Sequence, residues 1–167
     1  MTAIVDPEGP KLAIVPSNPA PEGTQAGWFT TSDGVRLRYA RFPHTAGAPK
    51  GTICLLQGRT EFIEKYFETV ADFQSRGFAV ATFDWRGQGG SERLIRNQLL
   101  GYVDSFEDFW TDLQSFHSSI LLPDCPPPYC VLAHSTGALI ALLSAERLRT
   151  QVERMVLVSP LIAPYRN

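Results

Sequence analysis

The chain has 167 residues, 44% of them hydrophobic and 19% charged, with a net charge of −2, enough for one globular domain with a sizeable core. The slight acidity and the lack of a clustered basic face speak against nucleic acid as a partner. The longest helix-compatible apolar run, residues 138–145, is far too short to cross a membrane, and residues 1–6 show no signal-peptide pattern, so a cytoplasmic protein is expected. Cys54, Cys125 and Cys130 have no companion ligands at metal-binding spacing. They are read as free, buried thiols of a reducing compartment, and no metal site is expected.

Residues 1–24 hold Pro7, Pro10, Pro16, Pro19 and Pro21 together with Gly9 and Gly23, a composition that predicts a mobile, extended arm. Residues 25–167 then form the domain. Residues 27–31 and 35–42 flank Ser32-Asp33-Gly34, a hairpin turn. Val35, Leu37 and Tyr39 alternate with Arg36, Arg38 and Ala40, as in a half-exposed antiparallel strand. Residues 52–57 are continuously apolar up to Gln57, as in a strand covered on both faces. The spacing of Phe62, Ile63, Tyr66, Phe67, Val70 and Phe73 predicts a helix over 61–76, ended by Gly77. Residues 78–83 form the next strand. Phe106, Phe109, Trp110, Leu113, Phe116 and Ile120 predict a second helix over 104–121, with Ser105 and Asp108 as its capping box. After Pro123 and Pro126-Pro127-Pro128 come a short strand at 129–132, a helix at 138–148 and a last buried strand at 152–159. Strands alternating with helices give a parallel sheet wrapped by helices and entered through an antiparallel hairpin. The final strand has no helix after it and would leave an apolar edge, so a carboxy-terminal part is expected to be missing.

Between the strand at 129–132 and the helix at 138–148 stands Ala133-His134-Ser135-Thr136-Gly137. A serine between small residues at a sharp strand-to-helix turn is a nucleophile elbow, so Ser135 is the candidate nucleophile. The alternative is a serine that merely caps a helix. Such a fold draws its two oxyanion donors from the loop after the third strand and from the residue after the serine. By position these are the Arg59 and Thr136 N–H groups. The Arg59 guanidinium has a rival role, holding a phosphate or carboxylate. In the loop Asp84-Trp85-Arg86-Gly87-Gln88-Gly89-Gly90-Ser91, Glu92 stands where a dinucleotide fingerprint needs glycine, and no Gly-Lys-Ser follows. Asp84 and Arg86 are therefore expected to pin a tight loop, with Gly87 and its neighbours supplying positive φ. A serine nucleophile needs a histidine base and an orienting acid. His44 falls in a loop, His117 beside an apolar helix face, and His134 on the opposite side of its strand from Ser135. The 32 residues after Ser135 hold no histidine and no aspartate, and Glu146 and Glu153 are poorly placed as the acid.

Gln57-Gly58-Arg59-Thr60-Glu61 followed by Tyr66, then the Asp84–Ser91 loop, then Ala133-His134-Ser135-Thr136-Gly137, and finally Leu157-Val158-Ser159-Pro160 occur in this order. Together they resemble the monoacylglycerol lipase and lysophospholipase branch of the α/β-hydrolases, grouped as serine aminopeptidase-like. The likeness covers residues 27–163, with Gln57 in place of a histidine and Ala133 in place of a glycine. The Arg59-Thr60-Glu61 variant leans toward lysophospholipase L2-like proteins. The resemblance implies a doubly wound, mostly parallel sheet that stops after about the sixth strand, with the cap and carboxy-terminal part absent. It also implies acyl-ester hydrolysis without a cofactor. Ser135 would attack the carbonyl while the Arg59 and Thr136 N–H groups hold the oxyanion. The substrate would be a small-molecule or lipid ester, and peripheral contact with a membrane is compatible with it. Lacking the triad histidine and acid, the chain alone is expected to be inactive, unless a second chain supplies the missing half. A serine aminopeptidase of the same branch and a non-catalytic product or scaffold stay open as alternatives.

Overall fold

The computed structural model describes residues 9–162. Six strands, β1 (Gln25–Thr30), β2 (Arg36–Phe42), β3 (Thr52–Leu56), β4 (Ala79–Phe83), β5 (Tyr129–His134) and β6 (Arg154–Val158), form one sheet in the order β1-β2-β4-β3-β5-β6. The β1–β2 and β2–β4 pairs are antiparallel, and the β4–β3, β3–β5 and β5–β6 pairs are parallel. This is the expected parallel sheet entered by a hairpin.

Helices cover both faces because side chains alternate across each strand. Cys54 and Leu56 of β3 pack with Phe83, Phe116 and Ile140, on the side of α2 (Glu107–Phe116) and α4 (Ser135–Leu143). Ile53 and Leu55 point the other way, onto Phe67 and Val70 of α1 (Phe67–Ser75). The covering thins toward β6, where Val156 is 57% exposed and Val158 is 43% exposed. The last strand is thus shorter than expected and, on one face, open rather than buried.

Several boundaries move for local reasons. The helix expected over 61–76 opens with a 3-10 turn, Ile63–Tyr66, before α1 begins at Phe67. Glu61 is drawn back onto Gly58, and the Ile63 N–H is held by Asp84 Oδ1 at 2.9 Å. The helix expected over 104–121 runs as α2 only to Phe116. It continues as a π-turn over His117–Leu121 and closes in the short α3 (Leu122–Asp124), where Pro123 is accommodated in the first turn. Half of the expected capping box forms: Ser105 N–H donates to Asp108 Oδ2, while Ser105 Oγ accepts from Glu107 N–H rather than Asp108 N–H, and α2 starts behind Phe106, which makes no side-chain cap bond. The helix after Ser135 begins at Ser135 itself and breaks at Ser144, before α5 (Ala145–Leu148).

Arg38 departs from the half-exposed strand pattern. It is buried, with Nε donating to Asp84 Oδ2 at 2.7 Å and both terminal nitrogens donating to Glu64 at 2.8 Å. Two carboxylates offset the desolvation of one guanidinium, which is why a charged residue sits inside. Of the expected arm, residues 1–8 lie outside the described residues. Residues 9–24 carry defined contacts: the Lys11 carbonyl accepts from Arg38, the Ala13 N–H donates to Glu64, and Leu12 and Ala20 pack against the α1-side core.

Candidate active site

Ser135 stands where β5 ends and α4 begins, with φ of 50°. A left-handed backbone at a residue with a Cβ costs about 1–2 kcal/mol, so the surrounding packing must impose it. Gly137 does so by close approach. A Cβ there would lie 2.5 Å from the carbonyl oxygens of both Leu56 and Gln57, so only glycine lets α4 sit on the end of β3. The Ser135 carbonyl accepts from the Leu161 N–H at 3.1 Å, tying the chain after β6 to the elbow.

The loop after β3 runs beside this turn. A Cβ on Gly58 would come within 3.1 Å of Ser135 Cβ. Arg59 follows and is exposed, then Thr60 with φ of 62°. The loop is clamped from three sides. Gly58 N–H donates to Glu61 Oε2 at 2.6 Å, Thr60 N–H donates to Gln88 Oε1 at 2.6 Å, and the Gln57 carbonyl accepts from Trp85 Nε1 at 2.9 Å. Thr136 is buried in the first turn of α4, where backbone N–H groups have no intrahelical acceptor. The two candidate oxyanion donors thus belong to adjoining segments, one on either side of the Gly58–Ser135 contact.

Two of those clamps come from the glycine-rich loop. Asp84 is fully buried, accepting from Ile63 N–H, Gly90 N–H and Arg38. Burial pushes its carboxyl above the ordinary range, and Arg38 works against that push. Gly89, at φ of 49°, lies where any Cβ would run into the Asp84 carboxylate. Arg86 is held by Asp112 at 2.7 Å and by Asp33 at 2.8 Å, which fastens the loop to α2 and to the β1–β2 turn. Gly87 has φ of 74°, against the backbone of Tyr102.

None of the three histidines has a hydrogen bond to Ser135 among the described residues. His134 turns to the other face of β5, as strand alternation requires, with Nδ1 3.1 Å from Glu61 Oε2. His117 is buried against the Tyr129 ring, and burial lowers its pKa. His44 follows β2 past Phe42, which pairs with Val80 at the start of β4, the end of the sheet remote from Ser135. Glu146 is exposed in α5, paired with Arg149, and Glu153 lies beside Tyr129 at the start of β5. Glu61 is the residue that sequence reasoning passed over. Its signal was available, since a carboxylate three residues after a loop glycine can fold back on that glycine's N–H. Beside it opens a cavity of about 380 Å³ walled by Leu55, Leu56, Leu132 and Val158.

Among the described residues no group of His, Cys, Asp or Glu could hold a metal ion. No helix there is long and apolar enough to cross a membrane.

Comparison with known proteins places this geometry in a family. The family described as Serine aminopeptidase, S33 matches residues 47–167. Lysophospholipase L2 of Escherichia coli (strain K12) is 33% identical over 133 residues, covering 80% of this chain and 38% of that protein. Human monoglyceride lipase is 31% identical over 137 residues, covering 80% of this chain and 42% of its own length. The chain therefore spans well under half the length of these curated relatives. Among solved structures, a soluble variant of monoglyceride lipase from Saccharomyces cerevisiae superposes with a TM-score of 0.66 at 22% identity, over 83% of this chain and 45% of that one. A thermostable carboxyl esterase from Bacillus coagulans gives a TM-score of 0.68 at 21% identity, over 80% and 43%. These likenesses carry the fold. With the family match covering most of the sequence, the chain belongs to the serine aminopeptidase S33 family, and its fold is that of the α/β-hydrolases.

Proposed function

We propose that this chain carries the nucleophile and the oxyanion donors of a serine carboxylic-ester hydrolase. The observation that carries the reading is Ser135 at positive φ on the strand-to-helix turn, packed against Gly58 of the neighbouring loop. In the reaction, Ser135 Oγ bonds to the ester carbonyl carbon, and the charge developing on the carbonyl oxygen is received by the Arg59 and Thr136 N–H groups. The serine proton passes to a base and on to the leaving alcohol as the ester C–O bond breaks. Water then releases the acid from the acyl-serine. The base comes from outside the described residues, from further polypeptide in the same chain or from a second chain. The names of the relatives point to single-acyl glycerolipids as the substrate class.

The test is hydrolysis by a polypeptide joining residues 1–167 to the carboxy-terminal part of lysophospholipase L2 of Escherichia coli. A lysophospholipid, a monoacylglycerol and an aminoacyl anilide serve as substrates. Ester cleavage that Ser135→Ala abolishes supports the reading. Cleavage of the anilide alone would instead favour an aminopeptidase. A second reading, a non-catalytic scaffold, is favoured by the lack of a hydrogen bond from any of the three histidines to Ser135 among the described residues. Absence of turnover on all three substrates would select it.

A further inference from the structure

The Glu61 carboxylate is not explained by the fold alone. It is buried in a loop, 6% exposed, and it gathers four donors from three places. Gly58 N–H lies 2.6 Å from Oε2, Tyr66 Oη 2.5 Å and His134 Nδ1 3.1 Å from the same oxygen, while Lys65 Nζ lies 2.6 Å from Oε1. Tyr66 and Lys65 follow Glu61 directly and could satisfy it by themselves. Gly58 and His134 are different. Gly58 precedes the candidate oxyanion donor Arg59, and His134 precedes the candidate nucleophile Ser135. A Cβ on Gly58 would stand 2.9 Å from Glu61 Oε2, 3.1 Å from His134 Nδ1 and 3.1 Å from Ser135 Cβ, so the three groups meet at one bare backbone position.

We infer that Glu61 is a positioning residue, whose single carboxylate oxygen Oε2 joins the loop that presents the Arg59 N–H to the strand end that presents Ser135, through Gly58 N–H and His134 Nδ1. This rests on the reading of Ser135 and Arg59 given above. Burial pushes the Glu61 carboxyl up, but the bonds from Lys65, Tyr66, His134 and Gly58 outweigh it and hold the pKa at about 2, so the acceptor is a carboxylate at any neutral pH. An ionised acceptor requires His134 to carry a proton on Nδ1. The imidazole orientation is then fixed by Glu61, and the gap between the oxyanion loop and the elbow is set by one shared atom. Charge-assisted bonds of this kind are shorter and stronger than neutral ones. The geometry suits a site in which donors must be held to within a fraction of an ångström.

The test is NMR of the 15N-labelled 167-residue chain, as wild type, Glu61→Gln and Lys65→Met. Long-range 1H–15N correlations read the His134 tautomer, and hydrogen exchange reads the Gly58 N–H. The wild type should show the Nδ1–H tautomer and a protected Gly58 amide. Glu61→Gln should speed Gly58 exchange about tenfold or more, shift the Arg59 amide resonance, and release His134 toward the Nε2–H form. Lys65→Met removes only the bond to Oε1, and should leave both readouts at their wild-type values, which separates the clamp from loss of a generic surface ion pair. An Nε2–H tautomer in the wild type overturns the inference, as does Gly58 exchange within threefold of wild type in Glu61→Gln. Should Glu61→Gln not fold, the wild-type tautomer alone decides. Neither readout depends on Ser135 reacting, so failure of the proposed hydrolase function and failure of the clamp are seen separately.

Discussion

Arg38→Met tests whether the ionic cluster beneath the site is built as described. Methionine keeps most of the aliphatic bulk and removes the guanidinium, whose side chain is only 7% exposed. That guanidinium serves two buried carboxylates, Asp84 at 0% and Glu64 at 4% side-chain exposure. Removing one partner from such a cluster leaves uncompensated buried charge, at a cost of about 3–5 kcal/mol. Against a total stability of about 5–15 kcal/mol, that is a large share. The sign of the pH dependence sharpens the test. In the wild type, burial pushes Glu64 up but the Arg38 hydrogen bonds prevail and hold it below the ordinary carboxylate range. Without Arg38, burial is opposed only by backbone donors, among them Ala13 N–H on Glu64 and Ile63 and Gly90 N–H on Asp84, so both folded-state pKa values rise relative to wild type. A raised carboxylate pKa contributes stability at low pH that is lost as pH rises through the folded value. The deficit of Arg38→Met relative to wild type should therefore be smaller near pH 5 than at pH 8. Urea unfolding followed by circular dichroism at both pH values measures this. A deficit under about 1 kcal/mol at pH 8, or one that does not change with pH, would refute the account of Arg38 as the counter-ion of two buried acids.

Three further outcomes follow from other parts of the structure. Glu61→Gln should flatten the acid limb of the stability profile. A carboxyl held at about 2 against an ordinary 4.5 contributes on the order of 3 kcal/mol above pH 4.5 that is lost as pH falls toward 2, and an acid limb equal to wild type would contradict this. Gly137→Val should destabilise by at least about 2 kcal/mol, since its Cβ meets two backbone carbonyls at 2.5 Å; thermal unfolding within a degree of wild type would mean that α4 is free to move. Val156→Lys with Val158→Lys should raise the monomer fraction in sedimentation velocity, because both side chains stand exposed on an edge strand. An unchanged or lower monomer fraction would show that this edge does not drive association.

Much of the fold was legible because its central strands are short, mostly apolar runs such as β3 and β4, and its helices carry one apolar face. Residues 52–57 read as a doubly covered strand since every residue of β3 is buried. The elbow was legible from small residues on either side of Ser135, whose purpose is the 2.5 Å approach at Gly137. What escaped was long-range electrostatics. Arg38 looked like the outward half of an alternating strand, because its partners lie 26 and 46 residues away. Glu61 looked like the start of a helix, because its link to His134 spans 73 residues. Alternation and helical spacing record burial, and a buried charge with distant partners obeys neither. The opening 3-10 turn escaped for a similar reason, since Glu61 is held by Gly58 N–H and Ile63 N–H by Asp84, 21 residues on.

A nucleophilic Ser135 flanked by the Arg59 and Thr136 donors should take up a fluorophosphonate, and the adduct can be mapped to its residue. The polypeptide to label joins residues 1–167 to the carboxy-terminal part of lysophospholipase L2 of Escherichia coli, with its Ser135→Ala variant as the comparison. A single adduct is expected, on the peptide containing Ser135, that disappears in the variant. An adduct on another residue, or labelling that persists in Ser135→Ala, would contradict it.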